Sequence, residues 1–138
     1  MTAREMARLY PAVALGSVAG ALLRLFASQM LASTAGTGFP WGTLFVNVAG
    51  SFLIGLYAAI SAPHGRIPGT LMQRNFVMTG FCGGFTTFSA FSLETLRLAQ
   101  SGDLVRAGIY VGASLVVWLA AAALGFLSGA ELNRTKVD

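Results

Sequence analysis

Thr79-Gly-Phe-Cys-Gly-Gly-Phe-Thr-Thr-Phe-Ser-Ala-Phe-Ser-Leu-Glu94 decides the fold of this chain. The stretch is apolar and carries no charge before Glu94, yet it holds Gly80, Gly83 and Gly84 followed by Thr86 and Thr87. Glycine and β-branched residues both weaken a helix. A helix broken at membrane depth strands backbone amides and carbonyls, and hydrocarbon cannot satisfy them. The stretch therefore predicts a spanning helix whose break faces protein, an ion or water, as in discontinuous membrane helices that gather backbone groups around ions. The competing explanation of the glycines is close helix packing alone.

The surrounding sequence is that of a membrane domain. Hydrophobic residues make up 55% of the 138 and charged residues 10%, against about 25% charged in soluble domains. No Asp, Glu, Lys or Arg lies between Arg24 and Arg66, between Arg74 and Glu94, or between Arg106 and Glu131. A bilayer core of about 30 Å takes roughly 20 apolar residues per helix. Four spans fit, at about residues 9–31, 41–61, 76–98 and 107–127. The expected fold is an all-α integral membrane protein with a broken third helix, in a single domain over residues 1–138. Arg24 interrupts the first apolar stretch and more spans follow, so that stretch reads as an anchor and not as a cleaved signal peptide. The net charge of +4 sits in single basic residues at span ends, which suits lipid headgroups and not nucleic acid. The lone Cys82 has no partner for an intramolecular disulfide and reads as a small packing residue. His64 lies in a Pro- and Gly-rich turn and is assigned no role.

Polar groups inside a membrane are expensive, so each needs a reason. Thr43, Asn47 and Ser51 are four residues apart and share one face of the second span. Asn47 carries two N–H donors and one acceptor; it either bonds a neighbouring helix or points its donors at an anion. Arg24 either caps carbonyls or draws anions toward a vestibule. Glu94 is the one acid well inside a span, fit to pair with an arginine, cap a helix or carry a proton. Phe81, Phe85, Phe88 and Phe91 form a stripe on the third span. Such a stripe is ordinary packing, but aromatic ring edges are positive and can also line a path for a small anion. Weak binding of that kind suits conduction, which fails if the ion cannot leave. Tyr110 and Ser114 share a face of the fourth span, and the next residues of that row are Trp118 and Ala122.

These segments resemble a known family, the CrcB or Fluc fluoride channels. The resemblance lies in Gly16–Arg24, in Trp41-Gly-Thr-Leu-Phe-Val-Asn47 through Gly55, in Thr79–Glu94, and more weakly in Tyr110–Ser114. It implies a fluoride-selective passive channel, not an enzyme, in the bacterial inner membrane. It further implies an antiparallel, dual-topology homodimer with two F⁻ pathways. The family's paired phenylalanines correspond to Phe88 and Phe91, its pore asparagine to Asn47, and its hydroxyl track to Tyr110 and Ser114. Thr43, Thr87 and Ser89 join that pathway as hydroxyl donors, and Arg24 corresponds to the vestibule arginine. A structural Na⁺ on the dimer axis would rest on the backbone carbonyls of Gly83 and Thr86 from both subunits, oxygen ligands being what a hard cation takes.

Three features depart from the family. Ala90 replaces a common threonine, and Trp118 and Ala122 stand where further hydroxyls are frequent; both interrupt the polar track. Charge is also biased. With the N-terminus cytoplasmic, that side carries Arg4, Arg8, Arg66, Arg74, Arg134 and Lys136 against Arg97 and Arg106 opposite, which favours one orientation. Two other readings compete. A small proton-coupled multidrug or guanidinium-type exporter wants a carboxylate in the first span, where this chain has Arg24. A non-transporting assembly factor would use the glycines and phenylalanines for packing alone. The chain has no Gly-x-x-x-x-Gly-Lys-Ser/Thr motif to signal a nucleotide site.

Overall fold

The computed structural model describes residues 2–35 and 38–134; Lys136, counted in the charge bias, lies outside them. The chain is all-helical. Helix α1 spans Ala3–Ala35 and α2 spans Trp41–Ile60. The third span is composite: α3 (Leu71–Arg74), a π-helical segment (Asn75–Cys82), α4 (Gly83–Phe85), and, after a break, α5 (Phe88–Gln100). Helix α6 spans Leu104–Arg134. Four stretches are long and apolar enough to cross a membrane: Glu5–Leu31, Trp41–Ile60, Leu71–Gln100 and Leu104–Arg134. The protein is a multi-pass membrane protein.

The first, third and fourth spans run beyond the lengths expected from apolarity, whereas α2 stops at Ile60, and polar contacts set several of the ends of the third and fourth. The third span begins at Leu71 because Thr70 and Gln73 form a capping box: Gln73 N–H donates to Thr70 Oγ1 (3.2 Å) and Thr70 N–H to Gln73 Oε1 (2.9 Å). Asp103 starts α6 three residues before 107 by accepting from Arg106 N–H at 3.0 Å, after a turn in which Gly102 takes φ +85°. At its far end α6 continues to Arg134 because Asn133 fastens it to the α2–α3 connection. Asn133 Nδ2 donates to the Ala59 carbonyl (3.0 Å), and Asn133 Oδ1 accepts from Arg66 N–H (2.7 Å). Apolarity reports only the hydrocarbon-facing part of a helix, so these polar turns are invisible to it.

Glycines set the packing. Helix α1 lies against the π-helical segment and α4, with Gly16 and Gly20 facing the backbone of Phe76, Phe81 and Phe85. From the other side, a Cβ on Gly80 would come within 2.7 Å of the Val13 carbonyl, and one on Gly84 within 2.8 Å of Ser17 Cα. Helices α2 and α6 meet the same way, through Gly55 against Ala122, Gly125 against Phe52, and Gly129 against Ala59 and Leu56. Backbones this close gain dispersion contact that lipid tails would not provide.

The third span is therefore broken, but not at its glycines. Gly80, Gly83 and Gly84 all remain helical and two of them serve packing. The chain leaves the helix at Thr86 (φ −80°, ψ 162°) and Thr87 (φ −150°, ψ 125°), extended geometry that β-branched residues accept readily. Thr87 then restarts the helix as the N-cap of α5, its Oγ1 accepting from Ala90 N–H at 3.2 Å.

Candidate functional site

The break is held open by Asn47. Its Nδ2 donates to the Thr87 carbonyl (2.9 Å) and its Oδ1 accepts from Thr87 N–H (2.7 Å). In an unbroken helix that N–H would bond the carbonyl of Gly83, four residues earlier. Asn47 therefore substitutes for one turn of α-helix, and the Gly83 carbonyl loses its helical donor. Gly83 is exposed, and a Cβ there would meet nothing within 4 Å. Asn47 is buried, and Nδ2 keeps a second proton with no protein partner among the described residues. With Ser51, Thr86, Thr87, Phe88 and Trp118 it lines a cavity of about 220 Å³. Gly50 adjoins this corner, leaving room for the Thr86 methyl group.

Thr86 makes the other half of the break. Its N–H and its hydroxyl both donate to the Cys82 carbonyl, each at 2.9 Å. Its own carbonyl accepts from Arg24 Nη1 at 3.2 Å. Of the two roles open to Arg24 from sequence, the carbonyl-capping one has a defined partner. Arg24 also lines a wide cavity of about 730 Å³ together with Thr43, Thr87, Ser89, Ala90 and Glu94, so the same guanidinium lends positive charge to its wall.

Glu94 is held by hydroxyls. Thr43 Oγ1 donates to Oε1 (2.7 Å) and Tyr110 OH to Oε2 (2.8 Å), and no basic side chain pairs with it among the described residues. This ties α2, α5 and α6 together through one carboxylate. Thr43 and Glu94 border a second cavity of about 530 Å³ that opens beside Trp41 and Arg97. Thr87 Oγ1 and Ser89 Oγ lie 3.3 Å apart at the break and line the same wide cavity as Thr43 and Glu94.

The two phenylalanines of interest sit differently. Phe91 is 6% exposed, with its ring centroid 5.1 Å from that of Tyr110 and 4.8 Å from that of Trp118, the latter edge to face. Phe88 is 71% exposed, on the surface of this single copy, 5.6 Å from Phe91. On α6, Tyr110 and Ser114 are fully buried. Ser114 Oγ and Trp118 Nε1 are buried without any hydrogen-bond partner among the described residues.

The structure thus gathers Asn47, Thr87, Phe88 and Ser89 at the break, with Phe91 and Tyr110 packed together, Ser114 buried one turn further along α6, and Thr43 bonded to Glu94. Arg24 reaches the break through Thr86, and Gly83 stands apart, facing outward. Sequence reasoning left Glu94 and Trp118 outside the site. Glu94 was legible as the partner of the Thr43 row, since an intramembrane acid needs donors. Trp118 had the signal of falling four residues after Ser114 on the face of Tyr110.

Comparison with known proteins bears on this arrangement. Residues 11–126 match the family described as CrcB-like protein, Camphor Resistance (CrcB). A Rhodopseudomonas palustris protein named Fluoride-specific ion channel FluC 1 is 52% identical over 133 residues, covering 96% of this chain and 94% of the relative. The Fluoride-specific ion channel FluC 1 of Bradyrhizobium diazoefficiens is 49% identical, covering 94% of this chain and 90% of its own. The Fluoride-specific ion channel FluC of Opitutus terrae is 50% identical, covering 93% and 97%. With the family matched through every span from α1 to α6, this chain belongs to the CrcB-like family.

Proposed function

We propose that the protein is a fluoride-selective passive channel of the bacterial inner membrane, and not an enzyme. The observation that carries the reading is identity of about half, over nearly the whole chain, to proteins named fluoride-specific ion channels. The site supports it chemically. F⁻ is small and strongly hydrated, so a path must replace its water with close donors. The spare Nδ2 proton of Asn47, the hydroxyls of Thr87, Ser89 and Ser114, and the ring edges of Phe88 and Phe91 are such donors, in or beside low-dielectric surroundings, whereas Thr43 and Tyr110 give their single protons to Glu94 and would have to release them to meet the ion. Arg24 raises the local potential for an anion. Export then needs no fuel beyond gradient and voltage, which supplies about 2.3 kcal/mol per charge per 100 mV. The exporter alternative is disfavoured because Glu94 is engaged by two hydroxyls.

The functional unit of this reading is an antiparallel homodimer. What supports it is Phe88, too exposed in one copy to bound a path without a second. A structural Na⁺ at the dimer axis fits two features of the chain. The Gly83 carbonyl has lost its helical donor, and Gly83 itself is exposed. The Thr86 carbonyl gives one lone pair to Arg24 and keeps another. The ion would supply fixed positive charge and hold the two breaks together. The test is F⁻ and Cl⁻ efflux from liposomes for wild type, Phe88→Ile and Asn47→Ala. F⁻-selective flux in wild type with loss in both variants is expected. Absence of selective flux in wild type overturns the function.

A further inference from the structure

We propose that Trp118 is an anion-contacting residue of the fluoride path, its indole N–H acting with the Ser114 hydroxyl as a dry pair of donors on α6. The proposal rests on the channel reading. It reverses the expectation that Trp118 interrupts the polar track.

Four observations carry it. Trp118 Nε1 and Ser114 Oγ are both buried, and both lack a hydrogen-bond partner among the described residues. Burying such a group unpaired is destabilising, and native proteins rarely keep one without a use. The two residues are one helical turn apart, so their unpaired groups belong to one face of α6. Phe91 packs edge to face against Trp118, so this face adjoins one of the two phenylalanines assigned to the path. Trp118 also lines the cavity that holds Asn47, Ser51, Thr87 and Phe88, so the residue itself borders the break.

The chemistry differs from that of a hydroxyl. Ser and Thr both donate and accept, so a hydroxyl track tolerates water, cations and anions. An indole N–H only donates, and therefore discriminates against cations. An orphaned donor is also not occupied by a protein acceptor that an ion must displace. Fluoride, which accepts strong hydrogen bonds at short range, is the ligand this pair suits. Trp118 does by N–H what the family's hydroxyls do by O–H, with a large ring that also packs on Phe91.

The test uses the full-length dimer in detergent or nanodiscs, with ¹⁵N-labelled indole. The two tryptophans, Trp41 and Trp118, are assigned with Trp41→Phe. Titration with NaF is expected to shift the Trp118 indole N–H resonance, while NaCl at equal ionic strength leaves it in place. In liposomes, Trp118→Phe keeps the aromatic contact and removes the donor, and F⁻ efflux is expected to fall about tenfold, the order for loss of one hydrogen bond to a charged group. An indole resonance blind to NaF overturns the proposal even if efflux falls, because the fall then reports altered packing. If wild type passes no F⁻ at all, the channel reading fails, and the indole titration still judges Trp118 by itself.

Discussion

Asn47 and Thr87, forty residues apart in sequence, are joined by two hydrogen bonds of 2.9 and 2.7 Å that use both ends of the amide and both polar groups of one peptide residue. The side chain completes the backbone pairing that the helix gives up. Replacing Asn47 by Ala strands a buried N–H and a buried carbonyl, each worth about 1–3 kcal/mol when unsatisfied. Asn47→Asp keeps the acceptor for Thr87 N–H but sets an anion against the Thr87 carbonyl and against any anion in the cavity. Both variants are expected to melt lower in detergent, with Asn47→Asp passing the least F⁻ per folded protein. Thermal unfolding alongside liposome flux checks this, and an unchanged melting point for Asn47→Ala contradicts the clip.

Glu94 should behave as a shared acceptor. Thr43 and Tyr110 each donate to it, so removing one hydroxyl leaves the other in place, whereas removing both leaves a part-buried carboxylate with no donor. Thr43→Val and Tyr110→Phe are expected to be non-additive, with an interaction energy within the range of about 0.5–3 kcal/mol found for residues sharing a partner. Glu94→Gln should fold, since the amide can accept from one hydroxyl and donate to the other. A double-mutant cycle on unfolding free energy is the check, and simple additivity would contradict the shared anchor.

Phe91 and Phe88 are expected to separate stability from transport. Phe91 is buried against Tyr110 and Trp118, and truncation of a buried aromatic to Ala is destabilising by about 3–5 kcal/mol. Phe88 is 71% exposed in one copy, so Phe88→Ala should leave subunit stability nearly unchanged while reducing F⁻ flux. Unfolding of each variant, paired with efflux, decides the matter. Equal destabilisation by the two substitutions would place Phe88 in the subunit core.

Much of this was legible in the sequence because the membrane makes few patterns possible. Charge-free stretches marked the four spans, and the polar exceptions Asn47, Thr43 and Arg24 marked residues that meet the break or its flank. Helix ends were less legible, because the Thr70–Gln73 capping box and the Asn133 clamp lie outside the apolar pattern. The exact place of the break was also hidden. Gly80 and Gly84 looked like breakers, yet their missing Cβ atoms serve α1, and only the hydrogen bond from Thr87 N–H to Asn47 shows where the ladder stops. The π-helical run Asn75–Cys82 had no signal in composition. Trp118 reads from sequence as an interruption of a hydroxyl row, and only the structure shows that its buried N–H has no partner among the described residues.

Neighbouring glycines in the third span give the sharpest contrast. A Cβ on Gly84 would press on Ser17 of α1, whereas one on Gly83 would face open space. Gly84→Ala is therefore expected to destabilise the subunit by about 1–3 kcal/mol, the range for overpacking. Gly83→Ala should leave the subunit intact, and by its effect on helix propensity alone it would stabilise slightly. If a second copy and a shared Na⁺ lie over Gly83, the same methyl group must weaken the dimer. Unfolding and oligomeric state measured by light scattering, with and without Na⁺, distinguish the two. Gly83→Ala that remains dimeric with wild-type dependence on Na⁺ would remove Gly83 from the interface.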